Sequence, residues 1–278
     1  MERLQRWHDF IGEVIGTGIL VTFGCGAVAV SILYGAHTGL FQVAMTWGFA
    51  VTLAVYATRH LSYAHINPAV SVAMVCAGRM PARKLPEYLC GQFTGAFLAA
   101  CVLYLVFSPV IGQYEHLHGI IRGEAASYET ARMFGEFYRS PVPAAGQGIV
   151  LSTFAAFLAE AVGTFFLVFI VFSLTEGCNV GRPHDAMAPL FIGITVAMII
   201  CIIAPLTQAG INPARDLAPR LFAYLAGWRG AAWPDKHYGA LTVYVLGPLC
   251  GAAAAALLFT RVVEPLMIHK QRNSGVCA

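Results

Sequence analysis

Tyr63-Ala64-His65-Ile66-Asn67-Pro68-Ala69 and Gln208-Ala209-Gly210-Ile211-Asn212-Pro213-Ala214-Arg215-Asp216 decide the reading of this chain. Asn is a strong helix N-cap, and Pro is favoured at the first helical position because its missing N–H would be unpaired there anyway. Each Asn-Pro therefore predicts a helix start. The helix-compatible segments that follow, about 67–77 and about 212–224, are too short to cross a hydrocarbon core of about 30 Å. Upstream, Glu13-Val14-Ile15-Gly16-Thr17 begins 54 residues before Asn67, and Glu160-Ala161-Val162-Gly163-Thr164 begins 52 residues before Asn212. Both halves thus read Glu-x-x-Gly-Thr, two apolar spans, then Asn-Pro-Ala.

The composition sets the solvent. The 278 residues are 58% hydrophobic and 11% charged, against roughly 25% charged in a soluble domain. Spans of crossing length are expected near 10–33, 41–59, 87–108, 151–175, 187–206 and 239–262. The first follows Arg3 and Arg6; it is longer than a signal-peptide core and lacks a convincing cleavage site, so a retained span is expected. Three spans per half put the halves in opposite orientations, an inverted repeat whose functional site belongs near the midplane. The expected fold is an all-α membrane protein of six transmembrane helices plus two half-spanning re-entrant helices. It forms one domain over 1–278: repeat 1 about 8–108, a connecting loop about 109–150, and repeat 2 about 151–265. The half-helices would enter from opposite faces and meet N-terminus to N-terminus. The extended backbone before each Asn is tolerable at that depth only where it lines a water-filled cavity.

The formal net charge of +3 gives no ground for a nucleic-acid partner. The eight cysteines, from Cys25 to Cys277, form no C-x-x-C pair and read as small apolar residues. No His-Glu-x-x-His, phosphate loop or nucleophile–base set is found, so neither an enzyme nor a cofactor or metal is expected. Ten of the seventeen basic residues, including Arg79, Arg83 and Lys84, fall on the side of the termini and seven, including Arg122 and Lys236, on the other side or in the pore; cytoplasmic termini are expected. The polar linker carrying Glu115, Arg122, Glu124, Glu129, Arg132, Glu136 and Arg139 is either an external vestibule wall or a plain connector. Gly12/Gly16, Gly91/Gly95 and Gly247/Gly251 are small-xxx-small pairs suited to close packing within the protomer.

Two Asn-Pro-Ala motifs in register with repeated Glu-x-x-Gly-Thr and six spans make the chain resemble the major intrinsic protein family, the aquaporins and glycerol facilitators, over nearly its whole length. Asp216 directly after Arg215, with Arg220 four positions on, resembles the glycerol-facilitator branch; so do Pro248-Leu249 and the His-Gly-Ile-Ile-Arg-Gly run at 118–123. The resemblance implies a passive channel of a plasma or inner membrane, multi-pass with cytoplasmic termini. It would conduct glycerol, water and similar small neutral solutes such as urea or other polyols, and would assemble in the bilayer as a homotetramer. The alternatives are a strictly water-selective channel, disfavoured by Ile200 and Asp216, and a proton-coupled secondary transporter, for which only Glu13 and Glu160 could serve as coupling sites.

The resemblance also implies roles. Asn67, Pro68, Ala69, Asn212, Pro213 and Ala214 would form the pore centre, where capped half-helix dipoles interrupt a proton wire and repel cations. Trp47, Ile200, Ala209 and Arg215 map onto the aromatic/arginine constriction. Arg215 would offer a planar fork of donors to adjacent hydroxyls, and Trp47 and Ile200 would face the carbon edge. This set departs from typical facilitators and is closer to the plant nodulin-like channels. Tyr63, Ala64, His65, Gln208, Ala209 and Gly210 would present a ladder of carbonyls. The family commonly has Gly where Tyr63 and Gln208 stand: either the backbone there needs no positive φ, or these side chains shape the pore mouth. Glu13 and Glu160, costly in apolar spans unless paired, would accept hydrogen bonds from the pore-loop backbone. For His65, loop packing competes with a pH-sensitive role.

Overall fold

The structure, a computed structural model, describes residues 7–37, 39–139, 151–235 and 238–274. Arg3, Arg6, Lys236, Cys277 and the linker from 140 to 150 lie outside the described residues.

Among the described residues, six helices are long and apolar enough to cross a membrane: α1 (His8–Tyr34), α2 (Leu40–Ser62), α4 (Leu85–Leu117), α5 (Thr153–Thr175), α6 (Ala188–Thr207) and α8 (Gly239–Arg272). Two short helices, α3 (Pro68–Cys76) and α7 (Pro213–Ala223), follow the two loops. The chain is a membrane protein. Large apolar side chains such as Leu105, Phe154 and Ile202 stand 76%, 73% and 67% exposed on the outer faces, where hydrocarbon, not water, is the solvent that suits them.

Two boundaries correct the sequence reading. The third span does not end at 108 but continues through Pro109 to Leu117. Proline removes one N–H from the helix ladder, a loss that membrane helices tolerate. The connecting loop therefore starts at His118, and Glu115 belongs to the last turns of α4. The last helix also outruns its apolar stretch. Its polar end is tied down by Glu264, which receives Arg79 Nη2 at 3.5 Å, and by Gln271 Nε2, which donates to the Cys178 carbonyl at 2.5 Å.

The inverted repeat is visible in the packing. A Cβ on Gly95 would sit 2.3 Å from the Val14 carbonyl oxygen, and one on Gly251 only 1.9 Å from that of Ala161. Only glycine lets α4 lie on α1, and α8 on α5, at these separations. Gly91 and Gly247, one turn earlier, meet the Phe10 and Phe157 carbonyls in the same way, and Gly12 and Gly16 give room to Ser62, Ile66 and Thr58. At the seam between the halves, α2 crosses α6 with Gly193 against the Gly48 carbonyl.

Between α4 and α5 the linker folds over one end of the molecule. Arg122 is the fastener. Its Nε and Nη2 both donate to Glu115 Oε2 (3.0 and 2.8 Å), and its guanidinium stacks on the Trp228 ring at 4.3 Å. Thr130 Oγ1 joins this group, donating to Glu115 at 2.7 Å and accepting from Trp228 Nε1 at 2.9 Å. The linker up to Arg139 is thus an ordered segment packed on α4 and α7.

Candidate functional site

Each loop that leads into a half-helix is held by one buried carboxylate. Glu13 Oε1 accepts from the His65 N–H (2.9 Å) and the Ser62 hydroxyl (2.8 Å), and Oε2 from the Ile66 N–H (2.7 Å) and Gln92 Nε2 (2.7 Å). In the other half Glu160 Oε1 accepts from the Gly210 N–H (2.9 Å) and the Thr207 hydroxyl (2.5 Å), and Oε2 from the Ile211 N–H (2.5 Å). Both carboxylates are fully buried. Such saturation is what makes a carboxylate bearable at that depth.

The loops are not extended as expected. Tyr63, Ala64 and Ile66 have φ of 63°, 49° and 45°, and Gln208, Ala209 and Ile211 have 66°, 60° and 42°. These left-handed turns bring successive N–H groups onto one carboxylate. Of the two accounts of Tyr63 and Gln208, the one in which the backbone needs no positive φ is overturned. Both positions are left-handed without glycine. Tyr63, 76% exposed, lines the cavity at its mouth, whereas Gln208 is not among the lining residues; its Oε1 accepts the Phe137 N–H of the linker at 2.8 Å.

Asn67 and Asn212 cap the half-helices: Asn67 Oδ1 accepts the Ala69 N–H (2.9 Å), and Asn212 Oδ1 those of Ala214 (3.1 Å) and Arg215 (3.2 Å). Pro68 and Pro213 occupy the first helical positions. The two half-helices begin side by side, because the asparagine that caps each one reaches the loop that leads into the other, so both positive dipole ends lie at the same place.

One cavity of about 800 Å³ runs past this point. Asn67, Asn212, Trp47, Ile200, Ala209 and Arg215 all line it, together with Ala64, His65 and Gly210. Arg215 Cζ lies 4.1 Å from the centroid of the Trp47 ring. The cavity opens at the other end among Arg59, Arg79, Lys84, Arg182 and Asp185. His65 lies along it, with Nδ1 3.1 Å from Ser71 Oγ and its ring 4.7 Å from that of Tyr88.

Three features of the site escaped the sequence reading. Glu136 of the linker pairs with the Arg215 guanidinium, both groups being nearly fully buried. Burial pushes the Glu136 carboxyl up to about 7, with Arg215 and Arg220 pulling the other way. Ser62 and Thr207 end α2 and α6 as matched partners of Glu13 and Glu160; each stands five residues before its Asn, a spacing that could have been read. Tyr88 and Tyr244 donate their hydroxyls to the Ser62 and Thr207 carbonyls, the latter at 2.9 Å. Both stand three residues before the first glycine of a small-xxx-small pair, so Tyr-x-x-Gly-x-x-x-Gly is a further repeat signal.

Residues 1–259 match the family model described as Major intrinsic protein. The chain is 39% identical over 254 residues to the glycerol uptake facilitator protein of Haemophilus influenzae, covering 91% of this chain and 92% of that one. It is 36% identical over 254 residues to the propanediol uptake facilitator of Citrobacter freundii, covering 91% of each. In fold it is similar to the aquaglyceroporin from Plasmodium falciparum, with a TM-score of 0.80 at 23% identity over 94% of this chain and 98% of that one. With its paired half-helices, carboxylate-held loops and family match in agreement, the chain belongs to the major intrinsic protein family.

Proposed function

We propose that this protein is a passive channel through which glycerol and similar small uncharged solutes, with water, diffuse across the membrane while ions and protons are held back. The observation that carries this reading is the Arg215 guanidinium standing 4.1 Å over the Trp47 ring, in one cavity with Ile200, Ala209 and both motif asparagines. A fork of donors beside an apolar wall suits a polyol. Hydroxyl oxygens accept from the arginine while the carbon edge slides along Trp47 and Ile200. Ala209 leaves room where a larger side chain would close the passage. The glycerol and propanediol uptake facilitators among the relatives support the same solute class.

In this reading the left-handed loops offer their carbonyls to the solute as a ladder, and the opposed half-helix dipoles exclude cations and protons. The saturated hydrogen bonding of Glu13 and Glu160 favours a structural role for both, and so favours a channel over a proton-coupled transporter. We place both termini in the cytoplasm, the channel in the plasma or inner membrane, one pore in each single-domain protomer, and four protomers in the assembly. Urea and other small polyols are further candidate solutes. Stopped-flow swelling of reconstituted vesicles tests the reading: glycerol should enter together with water, and entry of water alone would sink it.

A further inference from the structure

The residue that grips the constriction from behind comes from the linker, far from the two motifs in sequence. Glu136 is 5% exposed, with its carboxylate paired to Arg215. Its backbone is gripped on both sides. The Glu136 N–H donates to Asp216 Oδ1 at 2.7 Å, and the Glu136 carbonyl accepts from Arg220 Nη2 at 2.5 Å. Asp216 and Arg220 pair one helical turn apart on α7, through Nη2–Oδ1 at 2.6 Å and Nε–Oδ2 at 3.1 Å, and both are fully buried. Arg220 is fixed in turn by the Ala232 carbonyl, which accepts from Nη1 at 2.6 Å. The neighbouring Gly135 allows the approach, since a Cβ there would lie 2.9 Å from Arg220 Cζ.

We propose that Asp216 and Arg220 form a clamp that positions Glu136, and that Glu136 is a specificity-determining member of the constriction, setting the plane in which Arg215 meets the solute. The inference rests on the channel reading above. An arginine side chain has several rotatable bonds, and the value of its planar fork lies in being held in one orientation. Trp47 fixes only the stacking distance; the Glu136 carboxylate fixes the rotation. Two carboxylates and two guanidiniums also leave the group formally neutral. Arg215 can then donate to a neutral hydroxyl without forming a net cationic site that would retain anions. Removing one partner of such a buried network leaves its neighbour uncompensated.

The test uses the full-length protein in vesicles at about pH 8, where a carboxyl with a pKa raised to about 7 is mostly ionised. The readouts are the glycerol-to-water permeability ratio, which does not depend on the number of channels, and nitrate entry. Glu136→Gln should lower the ratio about tenfold, the scale of losing one net hydrogen bond, and should admit nitrate. Asp216→Asn should move the ratio in the same direction. The double variant should go no further than the larger single effect, because Asp216 acts through Glu136. A clamp with a merely structural role would lower the amount of folded channel and leave the ratio alone. An unchanged ratio in Glu136→Gln, or single effects that multiply in the double variant, would overturn the proposal. If Asp216→Asn does not fold, Arg220→Lys is read in its place; it keeps the charge but loses the fork that reaches Glu136 and Ala232, and a wild-type ratio there rejects the clamp. If the wild type passes no glycerol, the channel reading for polyols fails, and the clamp is judged on nitrate entry and on water permeability per channel.

Discussion

Asn67 and Asn212 brace each other's loops. Asn67 Nδ2 donates to the Ile211 carbonyl at 2.9 Å, and Asn212 Nδ2 donates to the Ile66 carbonyl at 2.7 Å. Each asparagine therefore caps its own half-helix with its oxygen and holds the opposite loop with its nitrogen. Neither aspartate nor alanine can do both. Asn212→Asp keeps the cap but turns an oxygen toward the Ile66 carbonyl, which loses its donor; the cost should be about 2 kcal/mol. It also places negative charge where two positive helix ends converge, which invites cations. The expected result is a lower unfolding temperature together with faster collapse of an imposed pH gradient. Wild-type behaviour in both measurements would remove the cross-brace from the mechanism.

Glu160 gives the loop its shape, because its two oxygens receive the Gly210 and Ile211 N–H groups and the Thr207 hydroxyl. In Glu160→Gln one of these oxygens becomes an NH2 facing donors. At least one buried N–H is then left without an acceptor, a loss of about 1–3 kcal/mol. Thermal unfolding should shift downward for Glu160→Gln, and likewise for Glu13→Gln. Wild-type glycerol, by contrast, should not accumulate beyond its own concentration gradient when a pH gradient is imposed. A flux that follows the proton gradient would instead assign these carboxylates to coupling.

The close glycine contacts make a prediction with two signs. In Gly251→Ala the new methyl meets the Ala161 carbonyl oxygen, a backbone atom that cannot step aside. Overpacking of this kind costs about 1–3 kcal/mol or more, and little folded protein should be recovered. Gly112 on α4 has open space at its Cβ position. Gly112→Ala should stabilise the helix by up to about 1 kcal/mol through helix propensity alone. Fluorescence-detected size-exclusion profiles after graded heating compare the two directly, and equal behaviour would contradict the packing account.

The parts of this fold that were legible in the sequence are those written in local chemistry. An Asn-Pro start needs only its own next turn, and a carboxylate in an apolar span announces an unseen partner. The repeat then shows which loop that partner lies in. The helix beyond Pro109 was not legible, because the composition turns polar there while the backbone ladder continues. Glu136 was harder still. It stands among other charged linker residues, and only the fold of the linker over α7 brings it to Arg215, 79 positions away. Left-handed turns at Tyr63 and Gln208 were hidden because these residue types seldom adopt such turns.

Ile200 lines the same cavity as Arg215, and in the proposed filter it is the apolar wall. Ile200→His would replace that side chain with a polar ring in the proposed constriction, taking width and offering water a partner. Glycerol permeability should fall about tenfold while water permeability is largely kept, the scale of a one-methylene misfit in an apolar site. Stopped-flow ratios for both solutes check this, and an unchanged ratio would move the filter away from Ile200.

The Glu136 pair also sets a pH dependence whose sign follows from its surroundings. Burial raises the carboxyl to about 7, Asp216 adds to the rise, and Arg215 and Arg220 oppose it. Cys25, Glu160 and Tyr244 feel the same charge from α1, α5 and α8. Above neutrality Glu136 is ionised and holds Arg215. As pH falls through about 7 it takes up a proton, the ion pair weakens, and the four-group cluster gains a net positive charge. The glycerol-to-water ratio of the wild type should therefore decline between about pH 8 and about pH 5.5, a window centred near that value. Glu136→Gln, which has no proton to gain, should stay flat across the window at the low-pH value of the wild type. A wild-type ratio without pH dependence, or a variant that still titrates, would assign the proton to another group.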